Sequence, residues 1–282
     1  MIRKISCFSF VFFNLLLPPV MADMPQRIVS TDGAVTEIIY SLGEERLLAG
    51  VDTTSYYPES TNAIPKVGYK RALATEGILS LNPDLIIATE DAGPPQVLKT
   101  LKETGIKMLV LKEDHTIDNL YHKIREISKA LSVSEKGEEL IKTISLKEDE
   151  VQKKVQQSQN SPKVLFILYA GQGTPLVAGK NTAADAIIAL SGGINVVSEY
   201  EGYKPLNAEA MANADPEVLL VTTQGNEALG GKENLLKLPG VNLTKAGQKE
   251  NIVIMDTIFL LGFGPRIPDA IEQLHEELQH TR

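Results

Sequence analysis

Residues 76–89, EGILSLNPDLIIAT, and residues 209–222, EAMANADPEVLLVT, share one pattern and decide the fold expected for this 282-residue chain. Both have a glutamate, an apolar turn, Asn or Asp before Pro and an acid, four apolar residues and a threonine. Such an apolar run after a turn is typical of a strand buried in a parallel sheet. TEIIYSLG at 36–43 and DAIIALSG at 185–192 form a second matching pair. Two copies of one lobe are therefore predicted; chance similarity of two βα units is the alternative.

Around these stretches, short apolar strands alternate with amphipathic helices that end at glycine, such as Gly43 and Gly105. This alternation predicts two α/β lobes of Rossmann-like type, each with a central parallel sheet. The predicted strands are Arg27–Ser30, Leu85–Ala88, Met108–Leu111, Val164–Leu168, Val218–Val221 and Ile252–Met255.

One long helix is predicted between the lobes. Residues 134–159 contain no proline and dense charge, with apolar residues at near-helical spacing, and Asn160-Ser161-Pro162 follows. About seven turns give a length of roughly 39 Å. The predicted domains are an amino-terminal lobe over 23–133, a bridging helix over 134–160 and a carboxyl-terminal lobe over 161–282. A stiff bridge predicts a cleft that closes only slightly on its ligand.

Residues 1–22 predict a signal peptide. Arg3 and Lys4 precede a mostly apolar stretch, Ile5–Leu17, and the residues at 20–22 fit cleavage after Ala22. The stretch is shorter than the about 20 residues of a membrane-spanning helix, although an uncleaved anchor is the alternative. Cys7 lies within the stretch and not at the cleavage point, which argues against a lipoprotein. Export to the periplasm is expected.

The composition argues against several classes of protein. Without Arg3 and Lys4 the chain has 26 basic and 36 acidic residues, a net charge of −10, whereas nucleic-acid binding needs a basic face. Beyond Cys7 there is no cysteine, hence no disulfide or thiolate metal site. No dinucleotide, phosphate-loop or Gly-x-Ser-x-Gly motif indicates an enzyme. His115 and His122 lack an obvious third metal-binding partner.

Five stretches of the sequence carry a resemblance to a known family. With the export signal, the two lobes and the helical bridge, the chain resembles the substrate-binding proteins of ABC importers that carry vitamin B12, iron–siderophores, heme or metal ions. Within that class it resembles the periplasmic heme-binding proteins of bacterial heme uptake. The resemblance implies a monomeric carrier of ferric heme, the transported ligand, and a permease dimer as partner. The stretches are VGYKRALATEGILSLNPDLII, DTTSYYP, LVAGKNTAADAII, LLKLPGV and LLGFGPRIPDAI.

The resemblance implies that Tyr69, the tyrosine of the G-Y-x-R stretch, is a ligand of the heme iron. A phenolate is a hard anionic ligand suited to ferric iron, and a nearby cation favours the phenolate. In an extended segment, Arg71 shares a face with Tyr69 and could donate to its oxygen. Lys70 would point to a heme propionate or to solvent. From the residues alone, a tyrosine packed at a lobe edge beside two solvated cations remains the alternative.

Four other residues are candidates for heme contact. Tyr56 could stack on a porphyrin or pack in its loop. Phe263 belongs to an apolar, glycine-flanked loop that could form a wall for the macrocycle, and Arg266 could meet a propionate or hold that loop. Some relatives place a second iron ligand, a histidine, near Tyr169. This chain has no histidine between His122 and His275, which leaves Tyr169 as a possible substitute.

Glu76 and Glu209 occupy matching places in the two halves. In the family, one glutamate per lobe meets arginines on the two permease subunits. Matching carboxylates suit a twofold partner, although a glutamate at a helix start also complements the helix dipole.

Three alternatives to a heme carrier stay open. A corrinoid or iron–siderophore carrier would share the fold, but the basic cluster here is small for an anionic siderophore complex. An enzyme on this scaffold would need a nucleophile, base and orienting group in reach. A divalent-metal carrier would need converging histidines or carboxylates.

Overall fold

The computed structural model describes residues 24–169 and 174–280, apart from the side chain of Tyr169. The predicted signal peptide therefore lies outside the described residues. Within the described ranges, no helix is both long and apolar enough to cross a bilayer.

The amino-terminal lobe is built on a parallel sheet with the strand order β2-β1-β5-β6. Its central strand β5 is buried along its whole length. A two-stranded antiparallel ribbon, β3 with β4, precedes α2. Short 3-10 turns lie at Glu45–Leu47 and Glu59–Ala63. The elements are β1 Ile28–Ser30, α1 Gly33–Ser41, β2 Leu48–Val51, β3 Gly68–Tyr69, β4 Ala72–Leu73, α2 Thr75–Leu79, β5 Leu85–Thr89, α3 Pro95–Glu103, β6 Lys107–Leu111 and α4 Ile117–Ala130.

The bridging helix α5 is Ser134–Gln157. Its 24 residues correspond to about 36 Å. The prediction placed the end of the helix at residue 159, but Ser158 is extended and its hydroxyl donates to Gln279. The helix packs against α4 of the amino-terminal lobe and against α12, the last helix of the carboxyl-terminal lobe.

The carboxyl-terminal lobe has a mixed sheet with the order β10-β8-β7-β11-β12, and β9 also pairs with β7. Strands β7, β9, β11 and β12 are parallel, whereas β8 and β10 are antiparallel. A 3-10 turn lies at Val241–Leu243. The elements are β7 Lys163–Tyr169, β8 Leu176–Ala178, α6 Ala183–Leu190, β9 Ile194–Asn195, β10 Tyr203–Pro205, α7 Ala208–Ala214, β11 Val218–Thr222, α8 Thr223–Leu229, α9 Lys232–Leu236, α10 Lys245–Lys249, β12 Ile252–Met255, α11 Thr257–Leu261 and α12 Ile267–His280.

The parallel part of each sheet follows one plan. The order β2-β1-β5-β6 in the amino-terminal lobe corresponds to β9-β7-β11-β12 in the carboxyl-terminal lobe. Residues 76–89 and 209–222 each supply a short helix and the strand next to the first strand of the lobe. The predicted α/β fold of two lobes joined by a long helix is confirmed, with antiparallel strands added at one edge of the second sheet. The exact domain boundaries stay a prediction.

Candidate functional site

The two lobes enclose a cleft of about 970 Å³, which includes the open space at its mouth. The cleft lies where strands end: Asp32 follows β1, Asp91 follows β5 and Glu113 follows β6. Carboxyl ends of parallel strands are where open α/β sheets place their ligands. The walls combine Tyr69, Arg71 and His115 of one lobe with Leu168, Tyr203 and Leu261 of the other.

Tyr69 is the aromatic side chain that the ribbon of β3 and β4 presents to this cleft. Gly68 has a φ of 100°, a conformation that favours glycine, and Tyr69 is 45% exposed. The Nη2 atom of Arg71 lies 2.9 Å from Oδ2 of Asp91. The ribbon therefore places a phenol and a guanidinium together at the cleft wall.

Lys70 also belongs to the lining of the cleft, but its side chain is mostly buried and two carboxylates hold its ammonium group. Its Nζ is 2.7 Å from Oδ2 of Asp32 and 3.0 Å from Oδ1 of Asp91. Asp32 in turn caps α1 by accepting from the backbone N–H groups of Ala34 and Val35. Lys70 thus joins the end of β5 to the start of α1.

The ion pairs shift the pKa values of these groups. Burial alone would raise the pKa of Asp91, but Lys70, Thr89 and Arg71 lower it to about 2. Burial opposes the charge of Lys70, yet Asp32 and Asp91 raise its pKa above the usual value. Burial also opposes the charge of Arg71, whereas Asp91 and then Tyr69 and Tyr203 raise its pKa. Lys70 and Arg71 therefore remain cationic and Asp91 anionic at neutral pH.

A second group of charges lies beside this cluster, and the sequence interpretation missed it. Lys123, buried on α4, places its Nζ 3.1 Å from Oε2 of Glu113. Nδ1 of His115 is 3.6 Å from Oε1 of Glu113 and has no hydrogen-bond partner among the described residues. Burial, and then Lys123, lower the pKa of His115, which keeps the imidazole neutral. Only the placement of Glu113 after a strand could have signalled this cluster.

Arg266 and Tyr56 join the lobes across the cleft. The Nη2 and Nε atoms of Arg266 lie 2.6 and 2.8 Å from the two carboxylate oxygens of Glu37, and its guanidinium stacks 3.6 Å from the centre of the Tyr57 ring. The hydroxyl of Tyr56 donates to Asp256 at 2.8 Å and accepts from the backbone N–H of Ile258. Both side chains already have partners, so their predicted contacts with heme remain predictions.

Phe263 lies elsewhere than expected. Its side chain is fully buried, packs with its ring centre 5.6 Å from that of His115, and is not among the residues that line the cleft. The apolar wall comes instead from Ile258 and Leu261 of α11. The side chain of Tyr169 lies outside the described residues, and its predicted role is untested.

Glu76 and Glu209 lie in the first turns of α2 and α7, and both are exposed. Within the described parts of the chain, neither carboxylate is in an ion pair. The two matching positions of the repeat therefore present free acidic side chains.

Comparison with known proteins identifies the family of this chain. The model of the periplasmic binding protein family matches residues 28–258. The periplasmic heme-binding protein RhuT from Roseiflexus sp. RS-1, in apo form, is 39% identical over 90% of this chain and 97% of its own, with a TM-score of 0.87. The periplasmic heme-binding protein BhuT, in complex with two hemes, is 38% identical over 90% of this chain and 98% of its own, with a TM-score of 0.86.

Curated relatives are more distant and carry other names. The uncharacterized ABC transporter substrate-binding lipoprotein YvrC of Bacillus subtilis is 26% identical over 90% of this chain and 80% of its own. A vitamin B12-binding protein of Vibrio cholerae is 26% identical over 97% of this chain and 95% of its own. The chain belongs to the periplasmic binding protein family. It is an extracytoplasmic substrate-binding protein of an ABC transporter, a class of transport proteins.

Proposed function

We propose that the protein captures ferric heme between its lobes and delivers it to an ABC permease. The observation that carries this proposal is Tyr69, exposed on the cleft wall beside Arg71, which Asp91 holds in place. A phenolate suits ferric iron, and a fixed guanidinium favours the anionic phenol. Apolar side chains of α11 on the facing wall suit the face of a macrocycle.

The alternative ligand is a corrinoid or an iron–siderophore. The names of the curated relatives support a corrinoid. The structures with 39% and 38% identity, both named as heme-binding, support heme. Few cations face the cleft, since Lys70 is paired twice and Arg266 is bound to Glu37. A highly anionic siderophore complex is therefore the least favoured cargo.

A visible-absorption titration with hemin tests the proposal. The wild type is expected to give a saturable Soret shift with the charge-transfer band of tyrosinate–iron ligation, and Tyr69→Phe is expected to lose that band. Tyr57→Phe is the matched control, because Tyr57 is equally exposed but stacks on Arg266. A wild type that saturates with cyanocobalamin and shows no shift with hemin would overturn the heme proposal.

Delivery would use Glu76 and Glu209, one carboxylate per lobe. In vesicles with the cognate permease, Glu76→Lys together with Glu209→Lys is expected to abolish heme-stimulated ATP hydrolysis. Hemin affinity in solution should stay that of the wild type, since both residues lie outside the cleft lining. The matched control is Glu135→Lys with Glu199→Lys, two exposed glutamates away from the repeat. Full ATPase stimulation by the Glu76/Glu209 variant would rule out this docking surface.

The proposed location is the periplasm, with the chain cleaved after Ala22 and working as a monomer. Intact mass of the exported protein should correspond to a chain that begins at Asp23. A mass that retains residues 1–22 would instead indicate a membrane anchor.

A further inference from the structure

Residues 68–70 and 202–204 both read Gly-Tyr-Lys, and the fold places them at equivalent points of the two lobes. Each tyrosine lies on a short strand that precedes a helix and a buried strand: β10 leads into α7 and β11, and β3 leads through β4 into α2 and β5. Both glycines have positive φ, 100° at Gly68 and 73° at Gly202. Tyr203 is therefore the counterpart of Tyr69 in the carboxyl-terminal lobe.

The two tyrosines face the same cleft from opposite lobes. Both belong to its lining, and Tyr203 is 36% exposed. After burial and Asp91, the phenols of Tyr69 and Tyr203 both contribute to the raised pKa of Arg71. Arg71 lines the same cleft.

The phenol of Tyr203 is protonated at neutral pH, so its ionisation depends on a bound metal. Burial raises the pKa of Tyr203, and the charge of Arg71 opposes this rise only in part. The ring is fixed by an edge contact with Phe166, with 6.4 Å between centres.

The copy in the carboxyl-terminal lobe lacks a cation of its own. Pro205 stands where the first copy has Arg71, and Lys204 turns to the ring of Tyr200, 4.9 Å from its centre. The cation near Tyr203 therefore comes from the other lobe. Tyr69, Arg71 and Tyr203 line one cleft, which indicates a shared ligand space.

We propose that Tyr203 is a second ferric-iron ligand of this cleft, presented by the same Gly-Tyr-Lys element that presents Tyr69. This inference rests on the proposed heme function. On coordination, the phenol gives its proton to solvent and its oxygen binds the iron, with no change of oxidation state. The iron belongs either to the porphyrin that Tyr69 binds, approached from its other face, or to a second porphyrin.

Hemin titration of Tyr203→Phe tests the proposal, because phenylalanine keeps the ring against Phe166 and removes only the hydroxyl. If two porphyrins bind, the variant is expected to lower the equivalence point from two hemins to one. If one porphyrin bridges the lobes, the variant should keep one equivalent and convert six-coordinate iron to five-coordinate iron. Tyr200→Phe is the matched control and should behave as the wild type.

Two outcomes would overturn the proposal. One is an equivalence point and spectrum of Tyr203→Phe that equal those of the wild type; loss of the tyrosinate band in Tyr69→Phe would then still support the heme function. The other is weakened binding of iron-free protoporphyrin by Tyr203→Phe, measured by fluorescence, which would assign Tyr203 to packing and not to iron. Far-UV circular dichroism establishes that each variant is folded.

Discussion

At the scale of single residues, the two cations beside Tyr69 have different surroundings and different roles. The Lys70 side chain is 14% exposed and bridges Asp32 and Asp91, whereas that of Arg71 is 61% exposed and has one carboxylate partner. Lys70 therefore stabilises the amino-terminal lobe. Arg71 remains available to a ligand in the cleft.

Lys70→Met and Arg71→Met separate these roles. Lys70→Met is expected to lower the free energy of unfolding by about 3 kcal/mol, because it leaves the buried Asp32 without its closest cation. Arg71→Met should cost about 1 kcal/mol or less, as expected of an exposed pair, yet weaken hemin binding. Urea unfolding and hemin titration of both variants make the comparison. Equal losses of stability would contradict the assignment.

Ionisation of Asp91 makes part of the free energy of unfolding depend on pH. Its pKa in the folded protein is about 2, against about 3.9 for an unfolded aspartate. Its contribution is therefore complete above about pH 4 and is lost as the pH falls through about 2. At pH 7, the free energy of unfolding of the wild type is expected to exceed that of Asp91→Asn by about 1–2 kcal/mol, after allowance for solvent screening.

Urea unfolding between pH 7 and pH 2 measures this difference. Asp149→Asn, at an exposed position on α5, is the control and should change stability little across the range. A difference in the free energy of unfolding between wild type and Asp91→Asn that is as large at pH 2 as at pH 7 would contradict the prediction.

Residues that belong to short motifs could be proposed from the sequence, because such a signal is local. The Gly-Tyr-x-Arg stretch and the two glutamates could be located from short motifs. Asp32, Asp91 and Glu113 could not, because their meeting depends on three strands, far apart in the chain, ending at one edge. Phe263 was expected on the cleft wall, but its position after a glycine did not show which side of the loop would be buried.

At the scale of elements, the close crossing of α4 and α5 depends on Gly137. A Cβ at this position would lie 2.2 Å from Oγ and 2.7 Å from Cβ of Ser128, so the helices would have to move apart. Gly77, within α2, has nothing within 4 Å of such a Cβ.

Gly137→Ala is expected to lower the free energy of unfolding by about 1–3 kcal/mol through overpacking. Gly77→Ala should leave it unchanged or raise it by up to about 1 kcal/mol, because alanine favours a helix over glycine. Thermal unfolding followed by circular dichroism compares the two. A Gly137→Ala protein as stable as Gly77→Ala would show that the crossing tolerates a methyl group.

Strands with a long apolar run could be predicted from the sequence, whereas the short strands at the edge of the second sheet could not. Strands β5 and β11 are continuous apolar runs and were found within a residue. Strands β8, β9 and β10 are two or three residues long, and their pairing is set by neighbours across the sheet. The antiparallel edge of the second sheet therefore had no visible signal in the sequence.

At the scale of the whole molecule, contacts between the lobes add to the stiffness of the bridge. The ion pair of Glu37 with Arg266 and the hydrogen bond of Tyr56 with Asp256 both cross the cleft. Glu37 is only 4% exposed, so its charge depends on this partner.

Arg266→Met is expected to lower the free energy of unfolding by about 3 kcal/mol, because it leaves the Glu37 carboxylate buried and unpaired. The double variant Glu37→Gln/Arg266→Met should lose less than the sum of the two single variants, with a coupling of at least about 1 kcal/mol. Urea unfolding of the four proteins of the cycle measures the coupling. Additive losses would show that the pair does not join the lobes energetically.

The sequence by itself determined the repeated α/β lobe, the long helix and the tyrosine that defines the candidate site, because apolar periodicity and short motifs are local properties of a chain. Only the tertiary structure decided that Lys70 rather than Arg71 stabilises the lobe, which residues join the lobes, and that Tyr203 faces the same cleft as Tyr69. Those outcomes depend on the register of strands and on the approach of two lobes. Both are set by packing between residues that are distant in sequence.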